Sequence, residues 1–145
     1  MLNEGLFSSK TDLWETPWDF FKGIDENFKF TLDPCATPYN AKCSQFFTKE
    51  IDGLSQDWSG HIVFCNPPYG KEIPKWVKKC SEESLKPNTT IVALLPARTD
   101  TRWFHDYIYG KAKEIRFIKG RIKFLPETID RNSTTAPFPS MLIIF

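Results

Sequence analysis

The segment Asn66-Pro67-Pro68-Tyr69 combines residue types suited to activating an amine on a heteroaromatic ring. Such an amine is a poor nucleophile because its lone pair is delocalised into the ring. The side-chain oxygen of Asn66 can accept one amine hydrogen, and the carbonyl of Pro67 the other. Two directed acceptors draw the nitrogen towards tetrahedral geometry and localise its lone pair. The prolines stiffen the loop and carry no N–H that could compete. Tyr69 adds a flat face on which a base can stack, worth about 1–3 kcal/mol per base. The plainer alternative is a rigid strand-to-helix turn with a satisfied asparagine.

Other segments have chemical potential of a weaker kind. Asp33-Pro34-Cys35-Ala36 follows an apolar run, though Asp-Pro alone is a common turn. Arg98 and Arg102 follow another strand end and could hold phosphates. Trp103 and Phe104 beside them are expected to be buried helix aromatics rather than contacts to a flipped base. Lys119-Gly120-Arg121-Ile122-Lys123 reads either as a backbone-contacting basic turn or as a charged hairpin. His61 and His105 are expected to be structural or surface residues. The four cysteines, Cys35, Cys43, Cys65 and Cys80, form no Cys-x-x-Cys pair. With two histidines available, the expectation is reduced, mostly buried thiols and no metal site.

The elements that position these residues alternate in type. Pro17 opens a helix reaching about Asn27, and Phe28 to Leu32 alternates like a strand. Residues 34–57 are rich in turn formers and should be irregular or short helix. A short strand from His61 to Cys65 ends at the Asn66 loop. A helix from Ile73 to Leu85 follows, with Ile73, Trp76, Val77 and Cys80 at helical spacing. Thr90 to Leu95 reads as a central strand, Asp100 to Tyr109 as an aromatic helix, and Glu114 to Ile118 and Met141 to Phe145 as strands. Alternation of this kind implies an α/β fold with a mostly parallel sheet and helices on both faces. Ligands of such sheets sit at the carboxyl ends of the strands. The Asp33 and Asn66 loops should therefore face one crevice.

The 145 residues are expected to form a single domain, 1–145, able to bury a core without staples. Hydrophobic residues at 41% and charged residues at 26% exclude disordered, collagenous and coiled-coil classes. The longest apolar run, Ile91 to Leu95, is far short of a membrane span, and no apolar leader opens the chain. A cytoplasmic, non-membrane protein is the expectation. The net charge of +1 hides an asymmetry. Residues 1–70 carry 5 Lys/Arg against 10 Asp/Glu, whereas residues 71–123 carry 13 against 6. That distribution suggests a polyanion meeting one side of the molecule, or else a solvated helix face bearing Lys71, Lys75, Lys78 and Lys79.

The Asn66-Pro67-Pro68-Tyr69 loop resembles the catalytic motif of amino-group methyltransferases dependent on S-adenosylmethionine. Trp14-Glu15-Thr16-Pro17, Leu32-Asp33-Pro34-Cys35-Ala36, Asp52-Gly53-Leu54 and Leu95-Pro96-Ala97-Arg98 narrow the likeness. Together they look like the small phage-type Dam family of DNA adenine-N6 methyltransferases, over nearly the whole chain. The resemblance implies a Rossmann-like methyltransferase fold with catalysis at Asn66, Pro67, Pro68 and Tyr69. It implies cofactor contacts at Trp14, Thr16, Pro17, Asp33, Ala36 and Asp52, and S-adenosylmethionine as the cofactor. It further implies double-stranded DNA as the partner, with Arg98, Arg102 and Arg121 on its backbone, and a monomer or homodimer. The sequence departs from the usual methyltransferase pattern after Asp33, where Pro-Cys-Ala-Thr-Pro contains no Gly-x-Gly turn. Glu50 is a weak candidate for the acidic ribose ligand. Rival readings are a methyltransferase on cytosine-N4 or on a protein glutamine, and a binding module of the same fold without catalysis.

Overall fold

Aromatic packing fixes where the chain turns from helix to sheet. A computed structural model describes residues 13–125 and 134–145. Helix α1 spans Trp18–Phe28, with Pro17 just outside it, accepting the Phe21 N–H. Lys29 ends the helix in a left-handed conformation, and the Asp25 carboxylate then accepts the Phe30 N–H at 2.8 Å. Phe28 and Phe30 stack on each other at 5.3 Å. The strand expected over Phe28 to Leu32 is therefore confined to β1, Leu32–Asp33. Its first residues are spent on the helix end and on aromatic packing.

The remaining elements are β2 (Gln45–Phe46), a 3-10 turn (Gly53–Ser55), β3 (Ile62–Cys65) and α2 (Ile73–Glu83). They continue with β4 (Thr90–Pro96), α3 (Arg102–Tyr107), β5 (Glu114–Phe117), β6 (Lys123–Phe124), β7 (Thr134–Thr135) and β8 (Ser140–Ile144). The main sheet has the order β2-β1-β3-β4-β8-β5, and β6 pairs with β7 in a separate small sheet. β2, β1, β3 and β4 are parallel neighbours, while β8 is antiparallel to both β4 and β5. β5 thus points the same way as β4, and β8 alone is reversed. This mixed α/β sheet matches the expected methyltransferase-like architecture.

Strand alternation assigns the helices to opposite faces. Phe64 packs edge-on against Phe21 of α1 at 5.1 Å, whereas the adjacent Cys65 thiol meets Cys80 of α2. α3 packs beside α2. The core strand β4 is buried from Ile91 to Pro96, consistent with a strand covered on both sides. Burial pushes the Cys35, Cys43 and Cys65 thiols up, Cys43 to about 12. No helix among the described residues is long and apolar enough to cross a membrane.

A buried ion cluster ties the 3-10 region to α2. Glu83, 4% exposed, accepts the Trp58 N–H at 2.6 Å and pairs with Lys79 at 3.3 Å and Lys86 at 2.7 Å. Burial alone would raise its carboxyl, but the Lys86 and Trp58 hydrogen bonds and the nearby Lys79 outweigh that and hold the pKa down. A depressed folded-state pKa stabilises the protein above the unfolded value, about 4.3, and that stabilisation is lost as pH falls below it. Glu83→Gln should therefore melt below the parent at pH 7, because the Trp58 N–H loses a charged acceptor and Lys79 its partner. The difference should shrink in melts below about pH 4. A gap in melting temperature that stays constant from pH 7 to pH 3 would contradict this role.

Candidate active site

Three segments meet at the carboxyl end of the parallel strands: the loops after β1 and β3, and the stretch leading into α1. Asn66, the first residue after β3, donates its amide nitrogen to the Trp14 carbonyl at 2.6 Å and to Thr16 Oγ1 at 2.9 Å. The Trp14 carbonyl can only accept, so the amide is fixed with its oxygen on the other side. That oxygen, Asn66 Oδ1, is buried and has no hydrogen-bond partner among the described residues. A buried acceptor left open costs about 1–3 kcal/mol. Its orientation leaves it free for a donor brought by a ligand. Thr16, 2% exposed, thus acts on Asn66 directly, a connection invisible in a sequence separation of 50 residues.

Beside Asn66 lies a cavity of about 880 Å³, within the range that holds small-molecule cofactors. Trp14, Thr16, Asp33, Ala36, Asp52, Asn66, Pro67 and Pro68 all line it, so the Asp33 and Asn66 loops do share one crevice. Pro17 is not part of this lining and serves instead to open α1. The acidic groups on the wall are Glu15, Asp33, Glu50, Asp52 and Glu72, against Lys42 and Lys49. A wall with that excess of carboxylates favours a cationic ligand over a phosphorylated one.

Asp33 is 5% exposed, and its two oxygens accept the Cys35 N–H at 3.2 Å and the Lys42 N–H at 3.0 Å. Burial raises its carboxyl despite both hydrogen bonds. The residue braces the loop from Cys35 to Lys42 as well as facing the cavity. Gly53 lets two loops of the cavity wall approach each other. A Cβ there would lie 2.1 Å from the Pro34 carbonyl oxygen and 3.2 Å from the Trp76 ring. Asp52 precedes Gly53 at φ 64°, with Oδ1 accepting the Leu54 N–H. Trp76 also lines the cavity and stacks on Trp58, whose indole N–H donates to the Gly53 carbonyl at 2.9 Å. Helical spacing marked Trp76 only as a core residue; no sequence signal placed it at this wall.

Tyr69 corrects the expectation of an open stacking face. It is 3% exposed, its hydroxyl donates to the Leu94 carbonyl at 2.9 Å, and its ring meets the edges of Phe138 and Phe124 at 5.6 and 6.4 Å. Leu94 lies level with the point where β3 has ended, so its carbonyl needs a partner from elsewhere. Tyr69 supplies one. Trp14 closes the same cluster edge-on to Phe124 and Phe138.

Arg98 and Arg102 are exposed on the segment after β4, without an ion pair among the described residues. Arg121 differs, since its guanidinium donates to the Ala136 carbonyl at 3.2 Å. Trp103 and Phe104 are buried, as expected. His61 bonds Thr31 Oγ1 and His105 the Thr99 carbonyl, both structural contacts. Among the described residues no three His, Cys, Asp or Glu side chains converge as metal ligands.

Comparison with known proteins identifies a family. The family described as DNA N-6-adenine-methyltransferase (Dam) matches residues 5–145. The chain is 37% identical over 148 residues to a DNA N-6-adenine-methyltransferase of Haemophilus phage HP1, covering 100% of this chain and 84% of the relative. It is 33% identical over 123 residues to the DNA N-6-adenine-methyltransferase of Escherichia phage T1, covering 83% of this chain and 49% of that larger relative.

Proposed function

The chain belongs to the DNA N-6-adenine-methyltransferase (Dam) family, and on that premise we propose that it methylates adenine held at Asn66 and Pro67, using S-adenosylmethionine. It is an adenine-specific DNA methyltransferase; the cofactor's identity and the residue roles are the parts inferred. The observation that carries the reading is the buried, unpartnered Asn66 Oδ1, aimed by two contacts to the amide nitrogen. S-adenosylmethionine, when bound, supplies a methyl group on a sulfonium, hence an electrophile in a cationic molecule. The carboxylates of the cavity wall suit that charge. Asp33, Ala36 and Asp52, with Trp14 and Thr16 opposite, hold it beside the Asn66 loop.

A target adenine within duplex DNA must leave the stack to reach a pocket of this kind. Asn66 Oδ1 and the Pro67 carbonyl then accept its two amine hydrogens. They localise the nitrogen lone pair as positive charge develops there, and so bind the transition state more strongly than the ground state. Tyr69 braces the loop from behind, through its hydroxyl on the Leu94 carbonyl. Arg98 and Arg102 bear on flanking phosphates, and Arg121 contributes through the donors left beside its Ala136 contact.

Asp33→Ala should weaken S-adenosylmethionine binding about tenfold or more in calorimetry, since a charged acceptor is lost. DNA affinity should change little. Unchanged cofactor affinity would remove Asp33 from the site. DNA affinity should fall steeply with salt, and Arg98→Ala or Arg102→Ala should flatten the log–log slope by about one unit each. A slope near zero in the parent would return these arginines to a solvated surface.

A further inference from the structure

Asn66 Oδ1 is one of two buried side-chain polar atoms without a hydrogen-bond partner among the described residues. The other is Ser140 Oγ. Buried polar groups in native proteins nearly always find partners, so an orphaned one points to something that completes it. Ser140 is 1% exposed and opens β8. Because β8 runs antiparallel to β4, its first residue lies at the carboxyl end of the parallel strands, opposite Pro96.

Register places Ser140 on the face of the sheet that carries Phe64, two residues before Asn66. Phe64 pairs with Val92, Val92 with Ile144, Leu94 with Leu142 and Pro96 with Ser140, so these side chains share a side of the sheet. Asn66 follows Phe64 by two residues, at the first position past β3. Only β4 separates the strand leading to Asn66 from the strand begun by Ser140. Phe138, two residues before Ser140, packs edge-on against Tyr69 and Trp14. The hydroxyl therefore lies behind the same aromatic cluster that closes the pocket at Asn66.

We propose that Ser140 is a second base-binding residue, its hydroxyl donating to a ring nitrogen of the flipped adenine while Asn66 and Pro67 hold the amine. This rests on the adenine reading above and adds to it. Adenine offers two ring acceptors beside its amine-bearing carbon, N1 and N7. A hydroxyl donor behind the pocket can satisfy one of them and be satisfied in return. Among the described residues nothing pairs with the hydroxyl. Its removal should leave the unliganded protein at least as stable while impairing base capture, a separation characteristic of binding sites.

The test compares the parent and Ser140→Ala on duplexes carrying adenine, 1-deazaadenine or 7-deazaadenine at the target position, by single-turnover methyl transfer. Ser140→Ala should melt no lower than the parent without DNA, yet lose about tenfold in kcat/KM on adenine, the loss of one hydrogen bond. One of the two deaza substrates should show a similar loss with the parent and little further loss with Ser140→Ala. Equal activity of Ser140→Ala and parent on adenine would overturn the proposal. So would two deaza penalties that persist undiminished in the variant, because the hydroxyl would then be completed by an internal water. If Ser140→Ala does not fold, the parent alone decides: indifference to both deaza bases overturns it, and a penalty confined to one base, shared by Ser140→Cys only in reduced degree, upholds it. Failure of the underlying reading is distinguishable, since the parent would then transfer no methyl group to adenine at all.

Discussion

Asn66→Ala should transfer methyl groups at least about a hundredfold more slowly in single turnover, the usual cost of deleting one preorganised transition-state contact. The amide oxygen meets an amine that becomes electron-poor only during transfer, so kcat should fall more than KM rises. Folding should survive. The side chain's contacts are to the Trp14 carbonyl and Thr16 hydroxyl, and its buried oxygen bonds nothing in the described protein. Cofactor affinity should change little by comparison with Asp33→Ala. Asn66→Asp makes a sharper variant. Its carboxylate keeps an acceptor for the amine but places a second acceptor against the Trp14 carbonyl, 2.6 Å from the present amide nitrogen. Activity should fall there as well, through loss of aim rather than loss of the acceptor. A near-normal rate for Asn66→Ala would remove the oxygen from the mechanism.

Gly53→Ala should disrupt the loops that wall the cavity. The new Cβ would stand 2.1 Å from the Pro34 carbonyl oxygen, a backbone atom that cannot step aside alone. Either the Asp52-Gly53-Leu54 turn or the Asp33-Pro34 loop must move, and both wall the cavity. Overpacking of this kind costs about 3 kcal/mol, which for a chain of this size is a fall of about 6–12 °C in melting temperature. Cofactor affinity should drop by at least about tenfold in the same variant, as the wall carrying Asp33 and Asp52 shifts. Gly23→Ala is the control. No atom lies within 4 Å of its added Cβ, and it sits inside α1, where alanine is favoured by about 0.5–1 kcal/mol. Similar melting temperatures for Gly53→Ala and the parent would show that the loops do not depend on this contact.

The Asn66 loop stood out as a candidate site because its chemistry is local. Four consecutive residues at a strand end carry the acceptors, the rigidity and the ring, and their order needs no tertiary knowledge. The crevice followed from strand–helix alternation, since the loops after β1 and β3 must emerge at one end of a parallel sheet. What Tyr69 touches was not legible. Whether a ring faces solvent or takes the Leu94 carbonyl depends on where a neighbouring strand stops. The same holds for Thr16, which meets Asn66 across 50 residues. Apolar alternation over Phe28 to Leu32 mimicked a strand because stacked phenylalanines at a helix end share the spacing of two. The two-residue strands β2, β6 and β7 carry too few residues for any periodicity, and the reversal of β8 is a property of topology that a short apolar run cannot encode.

The central claim is that this pocket presents an adenine amine to a sulfonium methyl group. Its most direct test is transfer from tritiated S-adenosylmethionine to unmodified DNA, RNA and protein in parallel, followed by digestion and nucleoside and amino-acid analysis. The account predicts label in DNA as N6-methyldeoxyadenosine, abolished when adenine is absent from the duplex and strongly reduced with Asn66→Ala. Label recovered as N4-methyldeoxycytidine or N5-methylglutamine, or transfer that is indifferent to adenine, would contradict it.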